Sequence, residues 1–383
     1  MIYFDNAATS FPKPRSVCLE VEKCIKNYCG NGGRGSHRLA RLSAEKVYEA
    51  REVIANFFGS PSPENVIFTY NDTYALNMVI KGLLKKGDHV LISDMEHNSV
   101  YRPIASLARQ GLISYDVFET NCLSPLRTPE RICDNIRHLI RRETKMLICT
   151  HASNICSAAL PLREIGELCR SNGIIFIVDA AQSAGHLPID MEKMKIDALC
   201  APGHKGLFGL QGSGLAILKE GLLPSPLIEG GSGVNSLSSE MPDEAPERYE
   251  AGTLALPCIA ALCEGVKFVR ERGIEEIHAH ESALYKRLFT MLSSLPNVTV
   301  YAPHHVGSTL LFNIRGVSSE KVADMLDRCG ICVRSGFHCS PLGHRTLGTG
   351  INGAVRVSFS IFNKERELEP FYLAVKSISQ GRS

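Results

Sequence analysis

Short apolar runs, each followed at once by polar residues, alternate with amphipathic stretches between residues 65 and 218. The clearest run, at 174–178, is rich in β-branched residues and too short to cross a membrane. Such a run is typical of a strand buried on both faces of a parallel sheet. The repeated order of strand, polar loop and helix predicts an α/β fold with a doubly wound, mostly parallel sheet.

Polar side chains follow each predicted strand directly. They are Thr73 after 65–70, His97 after 89–93, Asn154 after 145–151, Asp179 after 174–178 and Lys205 after 198–201. Ligands of doubly wound sheets bind at the carboxyl ends of the strands. We therefore expect these side chains to share one site.

The pair Asp179 and Lys205 indicates which cofactor this site would take. Pyridoxal phosphate needs a lysine for covalent attachment and an anion beside its ring nitrogen. Thr73 opens a predicted helix, where backbone N–H groups favour a phosphate, although plain N-capping explains the same residues. A buried Asp–Lys ion pair is the alternative for Asp179 and Lys205 alone. The shared strand-end position of all five side chains favours the cofactor.

Composition narrows the class of protein. The chain has 383 residues, of which 44% are hydrophobic and 21% charged, as is typical of a globular protein. Its net charge of +2 gives no reason to expect nucleic acid or a membrane as partner. Its fourteen cysteines are scattered, and residues 1–5 lack the basic and apolar regions of a secretory signal. We expect free thiols and a cytoplasmic location.

The organisation into domains follows from the pattern along the chain. Residues 1–14 form an arm with a short strand and two prolines, which we expect to pack with the smaller domain. Residues 15–260 form the large cofactor-binding domain. Residues 261–383 alternate helix and strand more loosely and predict a smaller α+β domain.

A second dense group of reactive residue types lies near the C-terminus, at 333–341. Cys339 stands in a loop of small and polar residues, where it can remain accessible, and a nearby His338 or a cationic site could enrich the nucleophilic thiolate. Arg356 lies in a strand-like run, and its planar fork suits a carboxylate. An unreactive loop cysteine and an arginine paired with an acidic residue are the alternatives.

Cys329 and Cys332 form a Cys-x-x-Cys pair, which raises the question of zinc. Gly330 reads as a helix cap, and a second such pair at zinc-site spacing is missing from the sequence. We therefore predict no metal site.

Taken together, these residues resemble the class V aminotransferase group of fold type I pyridoxal-phosphate enzymes. The closest likeness is to the cysteine desulfurase and selenocysteine lyase family. The segments that carry it are DNAATS, RGSH, the joint at Thr73, MEHNSV, SNxxS at 153–157, VDAAQSAGH, GHK, EAGT, VRSGFHC and VRVSF. The short VRSGFHCSP loop resembles the type II desulfurases. The resemblance implies a large sheet domain plus a smaller C-terminal domain.

The resemblance also implies roles for individual residues. The implied catalytic residues are Lys205, Cys339 and His97. The implied cofactor-binding residues are Asp72, Thr73, His97, Asn154, Asp179, Gln182, His204 and Lys205, with Gly252 and Thr253 coming from the partner subunit of a homodimer. The implied substrate-binding residues are Asn6, Ala7, Arg34, Asn154, Arg334 and Arg356.

The implied reaction converts L-cysteine to L-alanine, with the sulfur passed to Cys339 as a persulfide and a sulfur-acceptor protein as a candidate partner. Alternatives are a selenocysteine lyase and a pyridoxal-phosphate aminotransferase or β-lyase in which Cys339 is incidental. The sequence departs from the family at Asp72, where a small residue is usual, and at Tyr74, Pro202 and Ser157. Asp72 and Pro202 motivate a third alternative, a non-catalytic scaffold.

Overall fold

The computed structural model describes residues 1–33, 35–302, 304 and 307–381. The strands are β1 (Ile2–Tyr3), β2 (Val66–Thr69), β3 (His89–Ser93), β4 (Ser114–Phe118), β5 (Thr144–Thr150), β6 (Ile175–Asp179), β7 (Ala198–Pro202), β8 (Gly214–Leu218), β9 (Val298–Val300), β10 (Thr309–Ile314), β11 (Ile331–Cys332), β12 (Arg334–Gly336) and β13 (Ala354–Ser358). The helices are α1 (Arg15–Asn27), α2 (Arg38–Phe58), α3 (Asp72–Leu83), α4 (Asn98–Arg109), α5 (Pro129–Arg137), α6 (Leu162–Ser171), α7 (Leu256–Arg272), α8 (Ile274–Ser293), α9 (Ser319–Arg328), α10 (Pro341–Leu347) and α11 (Leu368–Ser379).

The large sheet has seven strands in the order β2-β8-β7-β6-β5-β3-β4. Strands β7, β6, β5, β3 and β4 pair in parallel, and β8 runs antiparallel to both β7 and β2. The predicted α/β fold with a mostly parallel sheet is confirmed.

Helices cover both faces of this sheet, which explains the unbroken apolar runs. In β6, Phe176 and Val178 enter the core shared with α2, α5, α6 and α7, and Ile177 enters the core shared with α3 and α4. Because successive side chains of a strand point to opposite faces, a strand between two helical layers needs an apolar residue at every position.

A second sheet, in the order β12-β13-β10-β9, is antiparallel throughout and packs against α8, α9 and α11. The N-terminal arm joins this unit, since β1 pairs in parallel with β11. Phe4 of the arm contacts the rings of Phe359 and Phe371 edge-on, at centroid distances of 5.3 and 5.6 Å. The first residues of the chain are therefore held next to its last strand.

The boundary between the two units is best placed at Gly273. Helix α7 contributes Ile259, Leu262 and Val266 to the core of the large sheet, so a boundary at 260/261 would divide a helix whose inner face belongs to one core. Gly273 separates α7 from α8 and has a φ of +87°, which favours glycine. We propose that the small unit comprises the arm and the chain from Gly273 onward.

Two further features concern the chain as a whole. The cysteines are free thiols. Among the described helices, each is too short or too polar to cross a bilayer.

Candidate active site

A cavity of about 180 Å³ lies at the carboxyl ends of the large sheet's strands. It is lined by Asn71, Asp72, Thr73, His97, Ser99, Thr150, Asn154, Asp179, Ala181, Gln182, Pro202, His204 and Lys205. All five strand-end side chains picked out in the sequence, and the predicted Asp72, Gln182 and His204, line this one cavity. The topology accounts for this grouping, because parallel strands end at the same edge of the sheet.

Lys205 follows β7 in a tight turn in which Phe208 N–H donates to the Lys205 carbonyl at 2.9 Å. A Cβ at Gly206 would lie 2.3 Å from the Ala184 carbonyl oxygen, so glycine is required for the turn to pack there. In the part of the chain that the structure describes, Lys205 Nζ has neither a hydrogen bond nor an ion pair within 4 Å. Burial lowers the pKa of Lys205, while Asp179 and Asp72 oppose that shift. The amine is therefore free and inclined toward its neutral, nucleophilic form.

Asp179 and Asp72 form a buried carboxyl pair near this amine. Asp179 ends β6, is 1% exposed and accepts a hydrogen bond from Ala181 N–H at 2.8 Å. Burial and the neighbouring Asp179 raise the pKa of Asp72 well above its usual range. Burial raises the pKa of Asp179 as well, while Ala181 N–H and Lys205 oppose that shift. The larger rise at Asp72 favours the proton on Asp72 and the negative charge on Asp179.

His97 caps the N-terminus of α4 and is linked to Thr73 through Ser99. Its Nδ1 accepts from Ser99 N–H at 3.1 Å and lies 2.9 Å from Ser99 Oγ, which in turn lies 2.7 Å from Thr73 Oγ1. Burial, with Lys205 and Arg356, lowers the pKa of His97 to about 4. His97 is therefore neutral at pH 7, with Nδ1 as an acceptor. Ser99 belongs to the MEHNSV segment but was not predicted as a site residue.

Replacing His97 with asparagine is expected to change how stability depends on pH. The folded pKa of about 4 lies below the unfolded value of roughly 6.5, so the stability due to neutral His97 is complete above pH 6.5 and is lost as the pH falls toward 4. Asparagine keeps a capping acceptor but does not titrate. From pH 7 to pH 5 the wild type should lose about 1–2 kcal/mol of unfolding free energy relative to His97→Asn.

Urea unfolding of the cofactor-free proteins at several pH values measures this difference. His138→Asn, at an exposed position, serves as the control. Parallel pH curves for the wild type and His97→Asn would show that His97 is not neutral in the folded protein.

His204 connects the cavity to the N-terminal arm. Its carbonyl accepts from Ser10 N–H at 3.1 Å and from Lys13 Nζ at 2.8 Å. Its ring atom Nδ1 is buried and has no partner among the described residues. Burial, together with Lys205 and Lys13, lowers the pKa of His204 to about 4. The neutral ring thus presents an unused polar atom at the cavity.

Two of the predicted substrate-binding residues, Asn6 and Ala7, belong to the arm and make hydrogen bonds that hold it in place. Gln182 Nε2 donates to the Ala7 carbonyl at 3.0 Å, and Ala7 N–H donates to Ser358 Oγ at 2.8 Å. Asn6 Nδ2 donates to the Ser358 carbonyl at 3.1 Å, and Asn6 Oδ1 accepts from Phe11 N–H at 3.2 Å. Because its amide is occupied in tethering the arm, the geometry gives no support to substrate binding by the Asn6 side chain.

Asp5, which was not predicted as a site residue, holds both predicted arginines. Arg356 Nη2 donates to Asp5 Oδ1 at 3.0 Å, and Arg334 Nε lies 3.2 and 3.0 Å from the two Asp5 oxygens. Arg356 Nη1 donates to the Asn154 carbonyl at 3.1 Å, which places the guanidinium next to the cavity. Arg356 is thus paired with an acidic residue, which is the alternative that the sequence left open.

The exposed Cys339 lies outside the cavity lining but is attached to it on two sides. Asn154 Nδ2 donates to the His338 carbonyl at 2.8 Å, and Asn98 N–H, at the start of α4, donates to the Cys339 carbonyl at 2.7 Å. Burial and Arg356 lower the pKa of His338 to about 2. His338 is therefore neutral and does not supply the positive charge that the sequence led us to consider beside Cys339.

The remaining predicted residues lie elsewhere. Gly252 and Thr253 line a different cavity of about 560 Å³, together with Gly30–Gly33 and Arg51. They do not contribute to the Lys205 cavity of their own chain. Arg34 lies outside the described residues.

The cavity residues fit pyridoxal phosphate. The free Lys205 Nζ suits covalent attachment, and Asp179 suits a protonated ring nitrogen. His204 Nδ1 and Asp72 Oδ1 are buried and have no hydrogen-bond partner among the described residues. Buried polar atoms normally have a partner, so these two favour a polar ligand in the cavity. Residues Asp72 and Thr73 open α3, whose N-terminus favours a phosphate. Pro202 contributes no donor at the same wall.

An α/β sheet with this lysine and aspartate at its strand ends defines a fold type I pyridoxal-phosphate enzyme. The profile of the family described as Aminotransferase class-V matches residues 2–371, and the chain belongs to this pyridoxal-phosphate-dependent family. Proteins named "Probable cysteine desulfurase" from Pyrococcus abyssi and Methanothermobacter thermautotrophicus are 35% and 32% identical to it. The alignments cover 97% and 96% of this chain and 92% of each relative.

A solved structure agrees with these relatives. The apo structure of a cysteine desulfurase from Thermococcus onnurineus NA1 has a TM-score of 0.88 and 32% identity, covering 99% of this chain and 95% of that one. The predicted family and fold type are confirmed, and the expectation of a cysteine desulfurase-like enzyme agrees with the names of these relatives.

Proposed function

We propose that this protein is a cysteine desulfurase that converts L-cysteine to L-alanine and transfers the sulfur to Cys339. The observation that carries the proposal is the link between the cavity and the cysteine loop. Asn154 lines the cavity and donates to the His338 carbonyl, and His97 caps the helix whose first N–H holds the Cys339 carbonyl. These bonds join the loop that carries the accessible Cys339 to the cavity that Lys205 lines.

The residues would divide the work according to their chemistry. Bound pyridoxal phosphate withdraws electrons from the Cα of an attached amino acid. Asp179 would provide the carboxylate that a protonated ring nitrogen requires. Lys205 lines the same cavity, and its lowered pKa suits it to move the Cα proton. Arg356, whose Nε is buried without a partner in the described chain, would bind the substrate carboxylate.

The Cys339 thiolate would then attack the sulfur atom of the substrate. A bond forms between Cys339 Sγ and the substrate sulfur while the substrate's Cβ–S bond breaks, and the electron pair of that bond stays on the carbon. Protonation of the carbon gives alanine, and the enzyme keeps a persulfide. The exposure of Cys339 supports later delivery to a sulfur-acceptor protein.

We also infer a homodimer in the cytoplasm. Gly252 and Thr253 lie in a cavity separate from that of Lys205, which supports their serving the cofactor of a second copy. The free thiols support a reducing compartment. Sedimentation of the purified protein tests the dimer.

The function is tested by supplying the purified protein with pyridoxal phosphate and a panel of amino acids. From L-cysteine we expect one persulfide on the enzyme, or one sulfide after its reduction by added thiol, for each alanine released. Selenocysteine is tested as a second substrate for comparison. Transfer of an amino group to a keto acid would indicate an aminotransferase. A protein that binds no cofactor and turns over no amino acid would be a scaffold, and either result would reject the proposal.

A further inference from the structure

The loop that carries Cys339 has an unusual backbone. His338 and Cys339 have φ angles of +49° and +55°, so two successive residues with side chains occupy the left-handed region. This region is disfavoured for L-residues other than glycine, and asparagine and aspartate are the usual exceptions. Such a conformation persists only where its surroundings hold it.

A line of hydrogen bonds behind Cys339 supplies such support. His338 Nε2 lies 3.3 Å from the Arg334 carbonyl oxygen, and His338 Nδ1 lies 3.0 Å from His344 Nε2. His344 Nδ1 lies 2.8 Å from Thr349 Oγ1. The planes of the two imidazole rings differ by 16°, and their centroids are 5.3 Å apart. Because two ring nitrogens are only 3.0 Å apart while the centroids are this distant, the rings meet edge to edge in nearly one plane rather than face to face. We call His338, His344 and Thr349 the histidine relay.

The Arg334 carbonyl fixes the direction of every hydrogen bond in the histidine relay. The Arg334 carbonyl can only accept, so His338 Nε2 carries hydrogen and, in a neutral ring, Nδ1 accepts. His344 Nε2 must then donate and its Nδ1 accepts, so the Thr349 hydroxyl donates to Nδ1 at 2.8 Å rather than to the more distant His344 carbonyl at 3.4 Å. Every ring nitrogen is satisfied with both histidines neutral. Burial, with Arg356, lowers the pKa of His338 to about 2 and that of His344 to about 4, in agreement.

This arrangement excludes one role for the relay and supports another. Both nitrogens of His338 are engaged away from the thiol, so the ring has no free acceptor for the Cys339 proton. All relay side chains are buried, whereas Cys339 is exposed. The relay is therefore built to fix the backbone next to Cys339 rather than to exchange protons with it.

We propose that His344, acting through His338, is a positioning residue that holds Cys339 in the backbone conformation needed to receive sulfur. The proposal rests on the proposed desulfurase function for its kinetic consequence. Its structural consequence is independent of substrate, because the left-handed turn at 338–339 should relax when the relay is broken.

The test replaces His344 with leucine, which leaves His338 Nδ1 buried without its donor. Sulfur transfer from L-cysteine, measured as persulfide formed in a single turnover, should fall about 100-fold, the cost expected when a nucleophile is misplaced by about 1 Å. The KM for L-cysteine and the cofactor's absorbance change on substrate binding should stay as in the wild type. Alkylation of Cys339 by iodoacetamide should change by less than about threefold, since an exposed thiol can meet a small reagent from many directions.

His344→Gln has an amide that can still donate to His338, so its persulfide formation should be about tenfold faster than that of His344→Leu. Thr349→Val, which removes the far end of the relay, should lower transfer by a smaller factor, and these two variants decide the question if His344→Leu does not fold. His138→Leu, at an exposed position, is the matched control. Persulfide formation equal to wild type in all three relay variants would overturn the proposal.

Hydrogen exchange separates this proposal from the desulfurase function. In the holoenzyme, the backbone amides at 337–340 should exchange at least about tenfold faster in His344→Leu than in wild type, because Ser340 N–H donates to the Phe337 carbonyl only while the turn persists. If the wild type forms no alanine from L-cysteine but this acceleration is seen, the function fails and the positioning stands. Unchanged exchange would overturn the positioning, whatever the enzyme's substrate.

Discussion

Lys205→Ala is expected to lower alanine formation from L-cysteine by at least about 1,000-fold. The reason is that Nζ of Lys205 is the free amine at the cavity, and it would both attach the cofactor and move the Cα proton, a proton transfer worth roughly 100- to 10,000-fold by itself. The visible absorbance of lysine-bound pyridoxal phosphate should disappear as well. Assays of alanine and absorbance spectra measure the two effects.

Lys193→Ala provides the control, since Lys193 is an exposed partner of Asp190. It should leave both readouts unchanged. Activity of Lys205→Ala within tenfold of the wild type would mean that another amine performs this chemistry.

Cys339→Ser is expected to lower alanine formation from L-cysteine by at least about 100-fold while leaving cofactor binding intact. A hydroxyl at this position is a far weaker nucleophile toward sulfur than a thiolate. The side chain lies outside the cavity lining, so its replacement should not disturb Lys205 or Asp179. Alanine release and the absorbance change on adding L-cysteine are measured side by side.

Cys329→Ser, which alters an exposed cysteine at the end of α9, is the matched control. Equal rates for Cys339→Ser and the wild type would make Cys339 incidental and favour a β-lyase.

The large sheet could be predicted from the sequence because its inner strands are buried on both faces. The predicted strand at 89–93 coincides with β3, and those at 174–178 and 198–201 overlap β6 and β7. Strand β4 was not predicted, because an edge strand exposes alternate residues and reads as polar, as Ser114–Phe118 does. Helix α4 was not predicted either; it contains Pro103, and its start was read as a polar loop.

The cavity could be predicted once the parallel sheet was recognised, because the carboxyl ends of parallel strands lie at the same edge of the sheet. Contacts between distant parts of the chain were not. Asp5 meets Arg356 across 351 positions, and no local pattern marks that pairing. The lowered pKa of His338 likewise depends on burial and on Arg356, which sequence spacing does not reveal.

Ser157 shows how a departure from the family pattern can be accommodated. It stands where glycine is common, and its φ of +55° is one that glycine adopts easily. Its hydroxyl donates to the Thr309 carbonyl at 2.9 Å and accepts from Thr309 N–H at 2.8 Å. These two bonds tie the large unit to β10 and offset the unfavourable backbone conformation.

The most direct test of the account is the mass of the peptide that contains Cys339 after a single turnover with one equivalent of L-cysteine. The holoenzyme is quenched with an alkylating reagent, digested and analysed by mass spectrometry, with alanine measured in the same sample. We predict one extra sulfur atom on Cys339 for each alanine released. Alanine without added sulfur at Cys339, or sulfur on a different cysteine, would contradict the claim that this thiol receives the substrate's sulfur.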